Sequence, residues 1–297
     1  MHISALYIHP LKSGRAIAVD ELALDSHGVV DDRRFMLVDE TGKFVTARKD
    51  PKLSQVGCRR RSGGWSFEAA GTETLELDDA LVDAMKQTPE TLTVEIWGDR
   101  VQASDCGSTA AAWFTRHLGR PMRLVHAPRD LDRPIDPDFL PDRNQPEHVT
   151  RSRAADAGSS DLGQRNAAFS DGFPLLVITR SSLEALGELA AMQLDARRFR
   201  PNLVVSGTEA WAEDDWLNRA ISVGKGPNSV VLDVVKPCTR CRMTGIDVST
   251  GEVGDEPLRT LVRHRPGTSF GMNLVARSCV GRIRLGDPVE VIGPEAS

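Results

Sequence analysis

The chain has 297 residues, of which 40% are hydrophobic and 27% are charged, and its formal net charge is −5 at pH 7. This length predicts about two domains with their own cores, and the charge and the 5% of aromatic residues argue against nucleic acid or an anionic membrane as partner. No apolar run approaches the roughly 18 residues of a membrane-spanning helix. Five cysteines fit a reducing compartment, so we expect a cytoplasmic protein.

Residues 1 to about 105 carry the alternating apolar pattern of short strands separated by turns. Strands of this length and spacing predict a barrel-like antiparallel sheet. Helical spacing appears from Ser108 to Leu118 and ends at Gly119. We therefore predict a mainly β protein with a few helices, whose first domain, residues 1–125, resembles a β-barrel.

Periodicity disappears between Pro128 and about Asn166, where prolines recur every few residues among aspartates and arginines. A loop of this length is usually a linker or a functional lid. We favour a mobile linker over residues 126–166 that partly covers a site. Its charged residues are equally consistent with plain solvation.

Strands dominate again from Pro174 to the end, interrupted by a helix that we expect Ser181 or Ser182 to cap. The apolar residues from Val231 to Val235 predict a buried strand. We expect this strand to end at Lys236-Pro237, because proline cannot donate the next hydrogen bond of the ladder.

Two cysteines, Cys238 and Cys241, follow that strand among basic residues that favour a thiolate over a thiol. Their spacing alone fits half a zinc site, a redox pair or ordinary buried cysteines. A closed zinc site is disfavoured because the chain has no second C-x-x-C motif and no matching histidine pair. A thioredoxin-like pair would open a helix, whereas residues 244–251 predict a second strand and a turn.

The segment from Val235 to Cys241 reads V-K-P-C-T-R-C, and the motifs D-V-S-T-G, F-G-M-N-L and V-G-R-I-R-L-G-D-P-V follow it. These motifs resemble the MOSC domain family. From residue 3 to about 292 the chain is similar to the branch containing the mitochondrial amidoxime-reducing component and bacterial reductases of N-hydroxylated compounds. The resemblance implies a MOSC N-terminal β-barrel domain at 1–125 and a MOSC domain at 167–297. It also implies a molybdenum-molybdopterin cofactor with Cys241 as the protein ligand to the metal, and Cys238 packed or hydrogen-bonded behind it.

Molybdopterin carries a phosphate and a pterin. Its site therefore needs cationic groups, such as guanidinium groups that bind phosphate through two hydrogen bonds, and polar side chains for the edge of the pterin. The resemblance implies such contacts from residues that match the family's P-x-K-S, arginine-before-aromatic, V-T-A-R, S-D and F-R-P-N segments: Lys12, Ser13, Arg34, Thr46, Arg48, Ser170, Arg200 and Asn202. Taken singly, each of these charges is more typical of a surface residue at a strand end. The resemblance further implies that Asp171 lies beside the metal or donates a proton. Gly172 and Phe173 depart from the small hydroxyl residues that relatives carry before the proline.

These matches imply an oxidoreductase that removes oxygen from small N-hydroxylated substrates, with Arg240 helping to keep Cys241 ionised. No C-x4-C-x2-C pattern remains for an iron–sulfur cluster, so we expect a separate electron-donor protein. We do not expect pyridoxal phosphate, since no lysine lies in a setting that argues for a Schiff base. Two alternatives stay open: a sulfur carrier that uses a Cys241 persulfide for metal–sulfur cofactor assembly, and a module that stores or delivers the cofactor.

Overall fold

The computed structural model describes residues 1–78, 91–140 and 166–293, so residues 141–165 of the predicted linker lie outside the described part. The described strands, in chain order, are β1 (His2–Ile8), β2 (Ile17–Val19), β3 (Glu21–Asp25), β4 (Gly28–Val29), β5 (Phe35–Val38), β6 (Gly57–Arg61), β7 (Gly64–Glu68), β8 (Leu75–Asp78), β9 (Thr91–Ile96), β10 (Asp99–Asp105), β11 (Arg123–His126), β12 (Leu175–Thr179), β13 (Leu203–Ser206), β14 (Ala220–Val223), β15 (Val230–Thr239), β16 (Ser269–Ala276), β17 (Arg282–Arg284) and β18 (Val289–Ile292). The described α-helices are α1 (Gly107–Leu118), α2 (Arg180–Leu189) and α3 (Leu258–His264). The prediction of a mainly β protein with a few helices is confirmed.

The largest sheet has eight strands in the order β18-β14-β15-β16-β12-β13-β1-β2. Its last two strands come from the start of the chain, because β1 pairs antiparallel with both β13 and β2. Strand β3 likewise pairs with β17 near the other end of the chain. Strands from the two halves of the chain therefore pair within the same sheets. The domain boundaries that we expect, at 1–125, 126–166 and 167–297, stay a prediction.

The first half also has a core of its own. Strands β5, β11, β10 and β9 form one sheet, and β6, β7 and β8 form another. Between them lie the fully buried rings of Phe35, Phe67 and Phe114, which meet edge to face. Helix α1 supplies Phe114 and ends where predicted, at Gly119, whose positive φ of 74° suits glycine.

Two local predictions in the second half are wrong. Strand β15 continues through Pro237 to Thr239 instead of ending at the proline. Its register against β16 shifts on either side of Pro237, and such irregularities let a strand accommodate a residue that has no N–H group. The cap of α2 is Thr179, whose hydroxyl accepts the N–H of Ser182, rather than either predicted serine.

The segment after β15 also differs from the prediction. A 3-10 helix, Arg242–Gly245, follows Cys241 where we expected a strand. Its first turn closes because the N–H and the hydroxyl of Thr244 both donate to the carbonyl of Cys241. Beyond it, Ile246 makes one isolated bridge with Val253. None of the described helices is long and apolar enough to cross a membrane.

Candidate functional site

A cavity of about 720 Å³ opens where elements of the two halves meet. From the first half it is lined by Lys12, in the turn after β1, and by Trp97, in the turn between β9 and β10. From the second half it is lined by Asp171, before β12, and by the cysteines Cys238 and Cys241 at the end of β15. Residues far apart in the sequence therefore share one chamber.

All but one of the predicted site residues line this cavity: Lys12, Ser13, Thr46, Arg48, Ser170, Asp171, Arg200, Asn202 and Cys241. The exception is Arg34, which the structure places outside the cavity. Its guanidinium donates to both carboxylate oxygens of Asp25, at 2.6 and 2.8 Å, and is buried. A buried ion pair of this kind is typical of an arginine that stabilises a turn.

The preceding residue, Arg33, lines the cavity instead. Its guanidinium pairs with the buried carboxylate of Asp32 and donates to the side-chain oxygen of Asn202 at 3.2 Å and to the carbonyl of Arg200 at 2.9 Å. Its φ of 48° is unusual for a residue with a side chain. In the D-D-R-R-F segment, the sequence favoured Arg34 as the cavity residue because it directly precedes the phenylalanine. Only the backbone conformation decides which of the two arginines faces the cavity.

Arg200 supports the turn that carries Lys12 and Ser13. Its guanidinium donates to the carbonyls of Gly14 and Leu11, which bracket that turn. Burial, and secondarily the charge of Arg33, lower the pKa of Arg200 to about 9. Part of its hydrogen-bonding capacity is thus already used to shape the cavity wall.

Lys12 and Asp171 form an ion pair across the two halves of the chain. The Lys12 ammonium donates to Oδ1 of Asp171 and, at 2.7 Å, to the carbonyl of Phe169. The lysine side chain is 5% exposed, whereas that of Asp171 is 70% exposed and faces the cavity. The cost of removing one partner therefore differs between them, because the ammonium is taken out of water more completely than the carboxylate.

The two groups of this pair have pKa values displaced from their ordinary range. Burial lowers the pKa of Lys12 to about 8, although the charge of Asp171 opposes the shift. For Asp171 the loss of water raises the pKa, but the charge and hydrogen bond of Lys12, the Trp97 indole and the charge of Arg48 outweigh it and hold the pKa well below 3.8. Asp171 is consequently a carboxylate at neutral pH.

The two cysteines differ in their surroundings. Arg240, expected to act on Cys241, instead donates to the Sγ of Cys238 at 2.9 Å. Burial nevertheless raises the pKa of Cys238, against the opposing effect of Arg240. The Sγ of Cys241 makes no hydrogen bond with any residue of the described ranges and lines the cavity. Of the pair, Cys241 is the thiol that can take a new ligand without losing a contact.

An apolar wall, which we define as Ile135, Phe139 and Phe173, closes another side of the cavity. The Phe139 and Phe173 rings meet edge to face with centroids 5.8 Å apart, and the Lys236 ammonium lies 3.9 Å from the Phe139 centroid. Two of these residues belong to the predicted linker, so the described part of that segment does line a site.

Sequence reasoning missed several residues that build the cavity. Arg133, 4% exposed, donates to the carbonyl of Ser170 at 2.7 Å and to Asp99 at 2.9 Å, and so supports the loop that carries Asp171. Arg198 and Trp97 line the chamber as well. None of the three falls in a recognisable motif; the only signal was the density of arginines around them.

The charges of the cavity favour an anionic ligand. Among the described residues that line it, eight are basic and three are acidic, in a chain of net charge −5. The Oγ of Ser170 and the Nε of Arg240 are buried without a partner among the described atoms, and both residues line the chamber. A phosphate-bearing group such as molybdopterin fits this donor set, and the thiol of Cys241 could serve as a sulfur ligand to a metal held there.

Comparisons with known proteins agree with this architecture. The family description "MOSC N-terminal beta barrel domain" matches residues 1–121, and "MOSC domain" matches residues 164–290. The chain is 31% identical to mitochondrial amidoxime-reducing component 1 of Mus musculus and 29% identical to that of Homo sapiens, over 98% of this chain and 82% and 83% of theirs. It is 30% identical to the molybdenum cofactor sulfurase of Danio rerio over 93% of its own length and 32% of that protein. The chain therefore belongs to the MOSC family, with a MOSC N-terminal β-barrel domain followed by a MOSC domain.

Proposed function

We propose that this protein is a molybdenum-cofactor-dependent reductase of small N-hydroxylated compounds that receives electrons from a separate protein. The observation that carries the proposal is the free thiol of Cys241 in a chamber to which the described part of the chain contributes eight basic residues. Relatives named amidoxime-reducing components support the substrate class. When bound, the cofactor supplies the two-electron chemistry that removes oxygen from nitrogen.

Different residues of the chain would bind the metal, the phosphate and the pterin of this cofactor. Cys241 would bind the metal, because its sulfur is not used elsewhere among the described residues. Arg33 and the free Nε of Arg240 would meet the phosphate, and the unpartnered hydroxyl of Ser170 would meet a polar edge of the pterin. The electrostatic field of the chamber favours the anion before any single contact forms.

For proton delivery we propose a residue other than Asp171, the candidate that the resemblance offered. Asp171 is held ionised by Lys12, Trp97 and Arg48 and is therefore suited to accept a hydrogen bond rather than to donate a proton. Lys12 has a pKa lowered to about 8, so it is protonated at neutral pH and close to losing its proton. A catalytic acid is most effective when its pKa lies near the working pH. We assign the proton-donating role to Lys12.

The proposal is tested by making the protein in a host that synthesises molybdenum cofactor, then measuring metal by elemental mass spectrometry and turnover of benzamidoxime with reduced methyl viologen. We expect about one molybdenum per chain and formation of benzamidine. Stoichiometric cofactor without turnover would favour the storage module instead.

The sulfur-carrier alternative has one observation in its favour, the similarity to a molybdenum cofactor sulfurase. It requires a persulfide on Cys241 and no bound molybdenum. Cyanolysis of the freshly purified protein, which releases thiocyanate from a persulfide, distinguishes the two. Thiocyanate together with absent metal would contradict the reductase proposal.

Arg33→Gln should reduce the retained cofactor about tenfold, since a charge-assisted hydrogen bond contributes about 1.5–3 kcal/mol. The neighbouring Arg34→Gln is the matched control. This substitution breaks the ion pair between the buried guanidinium and Asp25. It should lower the free energy of unfolding by only about 1–2 kcal/mol, because Asp25 is partly exposed and water can solvate the carboxylate that is left. Pterin fluorescence after oxidative release and chemical denaturation measure the two effects. Greater cofactor loss in Arg34→Gln would restore the original assignment.

A further inference from the structure

The turn between β9 and β10 contains an unexpected residue. Ile96 pairs with Asp99, so the turn has two residues, Trp97 and Gly98, with φ values of 55° and 96°. Hairpin turns with positive φ at both positions favour asparagine followed by glycine, and a bulky residue at the first position is an outlier. Backbone strain of this kind persists where the surrounding structure enforces it, and strained residues are common at functional sites.

The contacts of Trp97 show which residues hold it in this backbone conformation. The residue is 44% exposed, and its ring packs on Phe44 with centroids 4.9 Å apart and has the Arg48 guanidinium 4.4 Å from its centroid. Its indole N–H reaches the second half of the chain and donates to Oδ1 of Asp171 at 3.1 Å. The tip of the hairpin thus contacts a carboxylate that lines the cavity.

The two donors to Asp171 use the same oxygen. The Lys12 ammonium and the Trp97 indole both donate to Oδ1, and Oδ2 accepts no hydrogen bond from the described residues. A carboxylate whose first oxygen is fixed by two donors cannot rotate without losing both. Its second oxygen remains available to accept a hydrogen bond from a ligand, since Asp171 lines a chamber where basic groups otherwise predominate.

We propose that Trp97 is a positioning residue that fixes Asp171 so that Oδ2 accepts a hydrogen bond from an N–H group next to the N-hydroxyl group of the substrate. The inference rests on the proposed function. It separates substrates by chemistry: an amidoxime has an amino group to donate, whereas a tertiary amine N-oxide has none. A site built to accept such a bond discriminates against the ligand that lacks it.

The test uses cofactor-loaded wild type and Trp97→Phe, which keeps a ring on Arg48 and Phe44 and removes the N–H. With benzamidoxime and N,N-dimethylaniline N-oxide as probes, the ratio of their kcat/KM values should fall about tenfold in the variant, mainly through KM for benzamidoxime. The matched control is Trp113→Phe, which removes an indole N–H bonded to the carbonyl of Glu73 outside the cavity. It should leave the ratio unchanged.

A second readout does not depend on turnover. Benzamidine has N–H donors and no oxygen to lose, so calorimetric titration should show binding that is about tenfold weaker in Trp97→Phe than in wild type and Trp113→Phe. Equal loss for both probes, unchanged benzamidine affinity in Trp97→Phe, or no benzamidine binding to wild type would overturn the proposal. If neither probe is reduced by wild type, the proposed function fails, and the benzamidine titration still decides the role of Trp97.

Discussion

Cys241→Ala should lose its molybdenum and at least about a hundredfold in reductase activity, because the variant has no sulfur at the position from which we propose the chain binds the metal. Losing a protein ligand weakens both the retention of the metal and its orientation. Elemental mass spectrometry and the benzamidoxime assay on freshly purified protein measure the two effects. The fold should remain, since Cys241 is half-buried and makes no described side-chain hydrogen bond.

Cys238→Ala is the matched comparison, since it removes a thiol from the same short segment. Its Sγ accepts from Arg240, and the variant releases that guanidinium but leaves the proposed ligand in place. We expect it to keep metal and to retain more than about a tenth of the activity, as is typical when one modest hydrogen bond is lost. Equal loss in the two variants, or loss in Cys238→Ala alone, would contradict the division of roles.

The contribution of Lys12 to the stability of the cofactor-free protein should rise between pH 8 and 10.5. Below pH 8 this lysine is protonated in both states, and the folded state bears the cost of a buried ammonium. Above pH 8 folded Lys12 loses its proton, whereas the unfolded chain keeps it up to about pH 10.5. The unfolded state then binds more protons, so the free energy of unfolding increases with pH, by about 3 kcal/mol in total.

This contribution is isolated by subtraction. Burial raises the pKa of Cys58 from 9.0 to about 12, which lowers stability as the pH rises above 9 and opposes Lys12. Urea denaturation of wild type and Lys12→Met across pH 7–11 should therefore show a difference between the two proteins that changes by about 3 kcal/mol. Lys43→Met, which alters a side chain that is 61% exposed, should follow wild type. A constant difference between wild type and Lys12→Met would show that the lysine is not perturbed.

Patterns of apolar residues predicted most of the secondary structure, and the resemblance to a known family predicted much of the lining of the cavity. Alternation predicted the strands, and the helical spacing with a terminal glycine predicted α1. Short motifs predicted the cavity position of Lys12, Asp171 and Cys241 because each lies beside a strand end that the fold brings to the same place.

The errors arose where tertiary contacts override local preference. A proline normally ends a strand, but the irregular register of β15 accommodates Pro237 and so places Cys238 within the strand. The choice between Arg33 and Arg34 depends on a backbone φ that no motif encodes. The contact of Trp97 with Asp171 spans 74 residues and joins the two halves of the chain. None of these distances or angles can be inferred from spacing in the sequence.

The pairing of β1 and β3 with strands from the other end of the chain has a consequence for biosynthesis. The Ser4 hydroxyl donates to the Val204 carbonyl across 200 residues, and the Glu21–Arg282 contact spans 261. As the chain leaves the ribosome, one edge of β1 has no partner until β13 has emerged, and one edge of β3 has none until β17 has emerged. Such long loop closures slow folding and prolong the exposure of apolar strands. Yield in a heterologous host should therefore depend on translation speed and on chaperone supply.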